Sequence, residues 1–586
     1  MLKKLYIVIL IVTTFFLSAN SKDFTLNIIH MNDIHSHLDE ETMSLTFDGK
    51  KLHTKVGGYP RVATLIKEKI KKYKNTLLLN AGDALQGTLY YTIFKGDIDA
   101  KMMNTLPWDA FVLGNHEFDD GDINLNNFIS KIKVPIIAAN VYADKNDILF
   151  NKWKSYIIKD FDSKKVGIIG IDTLNATKYS SNPSKNIKFE DEVKTVKKYV
   201  KKLKSIGVNK IILLDHYGYV NDIKLASEVK DIDVIVGGHS HTLMGDFGFL
   251  GLKSNIPYPK IIVSPKGDKT CIVQAYAYGK VVGDLKVVFD KSGKVLTCKG
   301  TPILALSDNF KIKNSNSHYV EVDEALKEKI KKFINKNDNI KIIKKDVSIQ
   351  AILDKYKKTL DKKETQIIGY AMQTIYNIRI PGEHYGIDKG INLPQGSEVV
   401  PIVAKSFYER VKNSDAVILN AGAVRTNIKK GGISIKDAYT LLPFSNTLYS
   451  IPLSGVNVHQ IIEDALDSVI VRNSSGSFPY AYGLRYDIDM LKIKGKRVQN
   501  IEILDKQSYK FQKIKKEKIY NITTISYLAS GKDGYDTFAG VKGKDTYFDY
   551  ANSFVVYIEK INNQGKKIKK LSYNNGCIKS YCSGLI

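Results

Sequence analysis

Phe111-Val112-Leu113-Gly114-Asn115-His116-Glu117 is the stretch that decides the fold, because an apolar triplet runs through one glycine into three polar side chains. Four other stretches repeat the arrangement. Leu26 to Ile29 leads to Asp33-Ile34-His35, Leu77 to Leu79 leads to Gly82-Asp83, Ile211 to Leu214 leads to Asp215-His216, and Val234 to Val236 leads to Gly238-His239-Ser240-His241. Short apolar runs bounded by turn residues read as buried strands. In open α/β sheets, ligands bind beyond the carboxyl ends of the strands. Five such ends converging would supply two carboxylates, one amide oxygen and several imidazoles, the donor set of a two-metal site.

The chemistry follows from the donors. Asp33 and His35 are two apart and so share a face where the chain is extended. Gly82, lacking a Cβ, is expected to let the backbone approach a metal beside Asp83. A carboxylate bridges two cations, which an imidazole cannot do. Asn115 adds a neutral oxygen, and His239 and His241 repeat the two-apart spacing. Mixed nitrogen and oxygen donors suit zinc, manganese or cobalt better than calcium. Two such ions clamp the attacking and leaving oxygens of a phosphoryl centre. His30, His37 and His53 are read as structural.

A chain of 586 residues is too long for one core and implies two or more domains. Its 43% hydrophobic and 10% aromatic content is that of a folded globular protein. Lys3 and Lys4, the apolar run Leu5 to Leu17, and the small residues Ala19 and Ser21 form an export signal. No cysteine follows it, so a lipid anchor is not expected, and no later segment reads as a membrane span. The expected location is periplasmic or secreted, after cleavage. The net charge of +27 is carried by scattered lysine pairs such as Lys71-Lys72 and Lys201-Lys202. These read as solvated faces that can also steer anionic substrates, and no nucleic-acid motif accompanies them. Cys271 and Cys298 flank an apparent hairpin, Ile272 to Leu296, and could bridge across it; Cys577 and Cys582 could close a small loop. Four cysteines allow three connectivities, and four free thiols are the alternative.

From Phe24 to about Leu306, apolar runs alternate with lysine-rich helical segments, an α/β signature. A helix fits Val347 to Leu360, with Ile349, Ile352, Leu353, Tyr356 and Leu360 on one face and Asp346 as N-cap. A second apolar-rich region runs from about Ile367 to Ile561. The expected division is a signal peptide over 1–21, a metal-bearing domain over 22–344, a linker helix over 345–365, a second α/β domain over 366–565 and a tail over 566–586.

Taken together, Asp33-Ile-His35, Gly82-Asp83, Gly114-Asn115-His116-Glu117, His216 and Gly238-His239-Ser240-His241 resemble the motif set of the calcineurin-like metallophosphoesterases. The spacing and the second domain resemble, more narrowly, the secreted 5′-nucleotidase and UDP-sugar hydrolase family. The resemblance implies an α/β fold, α+β overall: a four-layer αββα sandwich, a helical linker and a C-terminal nucleotide-binding domain. It implies one metal on Asp33, His35, Asp83 and His241 and another on Asp83, Asn115, His216 and His239. His116 and Asp119 match the family's dyad, the imidazole stabilising the transition state and the carboxylate orienting it. A metal-bridging hydroxide is then expected to attack phosphorus in line.

In the second domain, Asn420-Ala421-Gly422-Ala423-Val424-Arg425 resembles the family's Asn-Gly-Gly-x-x-Arg loop, with alanine in place of the first glycine. Pro443-Phe444-Ser445-Asn446 and Tyr527 to Tyr535 resemble the segments whose rings, here Phe444 and Tyr527, stack on a nucleobase. Asn446 and Asp533 belong to the same pocket, Asp533 as the ribose-binding carboxylate. Tyr527 and Lys532 depart from the commoner phenylalanine and glycine. Arg379-Ile-Pro-Gly-Glu383 with Leu393-Pro-Gln-Gly-Ser-Glu398 resembles the NAD-nucleotidase branch and makes Arg379 a second phosphate contact. The implied substrates are AMP and other 5′-nucleotides, with NAD or UDP-sugars, and the implied role is nucleotide scavenging. The alternatives are a cyclic-nucleotide phosphodiesterase, an exported nuclease or a sulfur-ester hydrolase on the same metal core, and a nucleotide-binding protein with an inactive site. Sequence leaves oligomeric state open.

Overall fold

The structure, a computed structural model, describes residues 23–252, 254, 256–264, 267–314, 318–382, 392–444, 446–472, 474–572 and 577–582. The expected signal, Glu383 and Ser445 therefore lie outside the described residues.

Two sheets face one another in the first half. One runs Glu41–Phe47, Lys50–Val56, Val295–Lys313, Val281–Phe289, Phe24–Met31, Thr76–Asn80, Ala110–Val112 and Ile136–Ile137; the other runs Lys260–Val263, Lys269–Val273, Val234–Val236, Ile211–His216, Lys164–Asp172 and Tyr156–Phe161. Leu26, Ile28, Leu77, Leu79 and Val112 of the first pack against Val166, Ile168, Ile212, Leu214 and Val236 of the second. The outer faces are covered by helices, including Tyr59–Lys72 on one side and Glu192–Ser205 with Tyr219–Glu228 on the other. Strands buried on both faces are apolar throughout rather than alternating, which is why the quoted runs lack polar interruptions. The result is an αββα sandwich.

Phe24–Met31 pairs in parallel with Thr76–Asn80, which pairs in parallel with Ala110–Val112; Ile211–His216 pairs in parallel with Val234–Val236. Within each sheet, therefore, the polar segments leave at the same edge.

Cys271 and Cys298 are bridged, with Cα atoms 6.5 Å apart. The bridge does not cross the expected hairpin. Cys271 lies in Lys269–Val273 of one sheet and Cys298 in Val295–Lys313 of the other, so the disulfide ties sheet to sheet. Cys577 and Cys582 are free. They lie at the start and end of the segment forming the extended strand Ile578–Cys582, and a strand's rise of about 3.3 Å per residue carries such thiols far past bridging distance. Within the segment expected as a tail, Ile578–Cys582 pairs in parallel with Leu484–Asp489.

The helix Val347–Lys363 forms with Asp346 as N-cap, its carboxylate accepting from the Ser348 and Ile349 amides. Its apolar stripe, Ile349, Ile352, Leu353, Tyr356 and Leu360, packs into the core of the first half. The second half has its own core around the mixed sheet Pro479–Tyr482, Ala416–Asn420, Ile519–Ile525, Thr447–Ser454 and Lys544–Asp549. Polar contacts join the halves: Thr92 Oγ1 donates to Asn552 Oδ1 at 3.1 Å, and Asn552 Nδ2 donates to Gln86 Oε1 at 3.2 Å.

Candidate active site

Six of the seven sequence-expected metal ligands fall into donor groups where those strands end, and the seventh, Asn115, is buried with its amide oxygen unpartnered. Asp33, His35 and His241 form one group of donor atoms, Asp83, His216 and His239 another, and His35, Asp83 and His116 a third between them. His35 Nε2 lies 3.0 Å from His241 Nε2 and 3.7 Å from Asp83 Oδ2, while His241 Nε2 lies 3.3 Å from Asp33 Oδ1. His216 Nε2 and Asp83 Oδ2 approach to 2.8 Å without a hydrogen bond between them.

The surroundings fix which nitrogens are free. His216 Nδ1 sits 2.7 Å from the Ala81 carbonyl and His35 Nδ1 3.2 Å from the Leu85 carbonyl. A carbonyl only accepts, so both Nδ1 atoms carry a proton and both Nε2 atoms face the centre, where a bound cation would take their lone pairs. Asp83 Oδ2, Asn115 Oδ1, His216 Nε2, His239 Nδ1 and His116 Nε2 are all buried without a hydrogen-bond partner. Leaving such groups unsatisfied costs about 1–3 kcal/mol each, and cations bound among them would remove that cost. Burial opposes ionisation of Asp33 and Asp83, yet the charges of His241 and His216 hold both carboxyls below their usual range. Burial also lowers His239 to about 3 and His35 to about 4, which keeps these imidazoles neutral. The donor set fits divalent transition metals.

Asp33, His35, Asp83, His239 and His241 all have left-handed backbones, with φ between 49° and 70°. Non-glycine residues in that region are strained and concentrate at functional sites. Side chains behind the loops hold them there. The Glu117 carboxylate accepts from the amides of Gly114 (2.7 Å), Ala84 (2.9 Å), Asp83 (3.1 Å) and Leu85 (3.2 Å). Gln274 donates to the Gly238 carbonyl at 3.0 Å and accepts from the Thr242 amide at 3.2 Å, spanning the loop of His239 and His241. A Cβ at Gly82 would lie 2.6 Å from His216 Nδ1, so its absence makes room for that imidazole.

His116 Nδ1 lies 2.6 Å from Asp119 Oδ2, and both residues are buried. Burial alone would lower this imidazole, but the charges of Asp119 and Asp83 raise it to about 9. His37, read as structural, lines a small cavity with His35, His241 and Tyr278.

Of the second-half residues, Asn446 lines the small cavity with His35 and His241, and the others assemble around it or apart from the donors. Asn420 Nδ2 donates to Asp533 Oδ2 at 2.7 Å, Tyr527 Oη donates to Asp533 Oδ1 at 3.0 Å, and the Tyr527 amide donates to Asn446 Oδ1 at 3.3 Å. Phe444 and Tyr527 are 46% and 42% exposed, leaving two open faces for a flat ligand. The Arg425 guanidinium lies 5.6 Å from the Phe444 ring centre. Arg379 and Arg425 line a cavity of about 1080 Å³, to which no metal-site residue contributes. Besides Asn446, a residue that sequence reasoning did not single out faces the metal donors from this half. Tyr547 packs on His239, His241 and His116 with ring centres 4.9, 5.1 and 5.7 Å apart, and Phe548 also flanks His116. No local signal marks Tyr547, which sits in an ordinary strand pattern.

Comparison with known proteins bears on this arrangement. The calcineurin-like phosphoesterase family matches residues 26–243, and the 5′-nucleotidase C-terminal domain family matches residues 389–540. The chain is 38% identical to the NAD 5′-nucleotidase of Haemophilus influenzae, over 92% of this chain and 91% of that one. It is 38% identical to a probable 5′-nucleotidase of Treponema pallidum, over 92% and 93%. The solved H. influenzae NAD nucleotidase superposes with a TM-score of 0.88 at 36% identity, covering 96% of this chain and all of that one. Orphaned polar donors on one sandwich edge, an arginine-lined cavity and two exposed rings in the second half, and these likenesses along both halves place the chain in the 5′-nucleotidase family of metal-dependent hydrolases, a calcineurin-like phosphoesterase domain followed by a 5′-nucleotidase C-terminal domain.

Proposed function

We propose that the protein is an exported dimetal nucleotidase that hydrolyses 5′-nucleotides to nucleoside and phosphate and cleaves the pyrophosphate of NAD. The observation that carries this reading is the set of buried donors without partners, grouped on either side of Asp83. Asp33, His35, Asp83 and His241 would hold one divalent cation, and Asp83, Asn115, His216 and His239 the other. When bound, such ions polarise phosphoryl oxygens and lower the pKa of water. His116 presents Nε2 to the oxygens that gain charge, and Asp119 holds the proton on Nδ1. Arg379 and Arg425 grip phosphate, Phe444 and Tyr527 sandwich the base, and Asp533 with Asn420 takes the ribose.

Because Tyr547 and not the arginine pocket faces the metals, substrate held in the second half reaches the centre only after that half turns about the helical linker, placed at 345–365 between domains of 22–344 and 366–565. The Cys271–Cys298 bridge supports an oxidising compartment, and among the described residues no helix is long and apolar enough to cross a membrane.

The test is phosphate release from AMP and from NAD by the mature protein, with and without manganese, beside Asp83→Ala, following AMP and nicotinamide mononucleotide directly. Activity on both, lost in the variant, is expected. Hydrolysis of single-stranded DNA in preference to AMP would point to a nuclease instead.

A further inference from the structure

A second cavity, of about 280 Å³, is lined by Phe548, whose ring also flanks His116, and by Arg410, Lys412, Lys544 and Lys560 with one acid, Glu409. Glu409 is taken up by Lys560 at 2.9 Å and Lys405 at 3.4 Å. Lys412 reaches only the Asn182 amide oxygen, at 3.4 Å. Arg410 and Lys544 form no ion pair with any described residue. Arg410 lies over Phe548, its guanidinium carbon 4.0 Å from the ring centre, with Nε buried and unbonded. Lone cations in a concave, partly desolvated setting are uncommon, because a buried charge normally carries a partner.

We infer that this cavity is an anion site, distinct from the arginine pocket and the metal centre, that takes a phosphate-class oxyanion on Arg410 and Lys544. Its size, about 280 Å³, accommodates a phosphate or a terminal phosphoryl group. The planar fork of Arg410, held over Phe548, is suited to paired bonds with such an oxyanion. Asn182, the one lining residue from the first half, also donates to the Asp119 carbonyl at 3.0 Å, so the cavity abuts the His116 dyad from behind. An anion there would pin the strand that carries Tyr547 against the metal centre. Inhibition by phosphate that added AMP does not relieve is the expected consequence, and that consequence alone rests on the nucleotidase reading.

The binding test does not need activity. Equilibrium dialysis of the full metal-loaded protein against radiolabelled inorganic phosphate should find one class of sites weakened at least tenfold in R410Q/K544Q, and also in K544Q alone, whose exposed position spares the fold. Crystals soaked in selenate should show an anomalous peak between Arg410 and Lys544. A non-hydrolysable phosphonate analogue of AMP identifies the source: a free anion persists against it, whereas a nucleotide's own phosphoryl group is displaced by it. Identical phosphate binding in wild type and both variants, with no peak, would overturn the inference.

Discussion

At the scale of single residues, close approach and unpaired burial govern the site. Gly114 has an ordinary extended backbone, φ −111°, so nothing about its own conformation requires glycine. A Cβ there would nonetheless fall 2.4 Å from Asp83 Oδ1. Gly114→Ala should therefore displace Asp83 and weaken metal binding about 10–100-fold, the usual cost of disturbing groups behind a metal ligand. Elemental analysis after dialysis checks this, with the melting temperature of the chelated protein nearly unchanged. Asp99 is a second case, away from the ligands. Both its oxygens are buried without partners, and burial raises it to about 7. A raised carboxyl binds its proton more tightly folded than unfolded, so its stabilising contribution is complete below about pH 4 and is lost as pH rises towards 7. Over that window the loss is on the order of 4 kcal/mol. Asp99→Asn, uncharged throughout, should melt higher than wild type at pH 8 and close to it at pH 4.

At the scale of elements, the disulfide between sheets gives a measurable stake. It closes a loop of 27 residues, and removing such a link costs about 2–4 kcal/mol. C271A/C298A should lose that much in chemical unfolding while keeping its metals, because the ligand loops lie at the strand ends and not along the bridge. The strands themselves were legible. Val234–Val236 matches its apolar run residue for residue, and Ile211–His216 extends it by two. Strands buried on both faces leave continuous apolar runs, and a sheet's edge turns each run's end into a ligand position. The bridge was half legible: spacing brought Cys271 and Cys298 together, but the alternation between them concealed a change of sheet. The left-handed backbones of Asp33, His35 and His241 were not legible, since the hydrogen bonds that impose them come from residues distant in sequence, such as Gln274.

At the scale of the whole molecule, the two halves were foreseeable as separate cores, but their mutual placement was not. Which face one core turns to another depends on long-range contacts such as Thr92 with Asn552, and no local pattern encodes these. Tyr547 packed on His239, His241 and His116 is the clearest consequence, and under the proposed function turnover would depend on relative movement of the halves. A disulfide engineered as T92C/N552C should abolish AMP hydrolysis when oxidised and restore it on mild reduction that spares the interior bridge. Full activity in the oxidised form would show that substrate enters without rotation.

Counting bound manganese in the chelated and reloaded protein while following AMP hydrolysis decides whether Asp83 bridges two cations. Two ions per chain, activity that rises with their uptake, and loss of both in Asp83→Ala are expected. A single ion at full activity, or hydrolysis that survives in Asp83→Ala, would contradict that bridge.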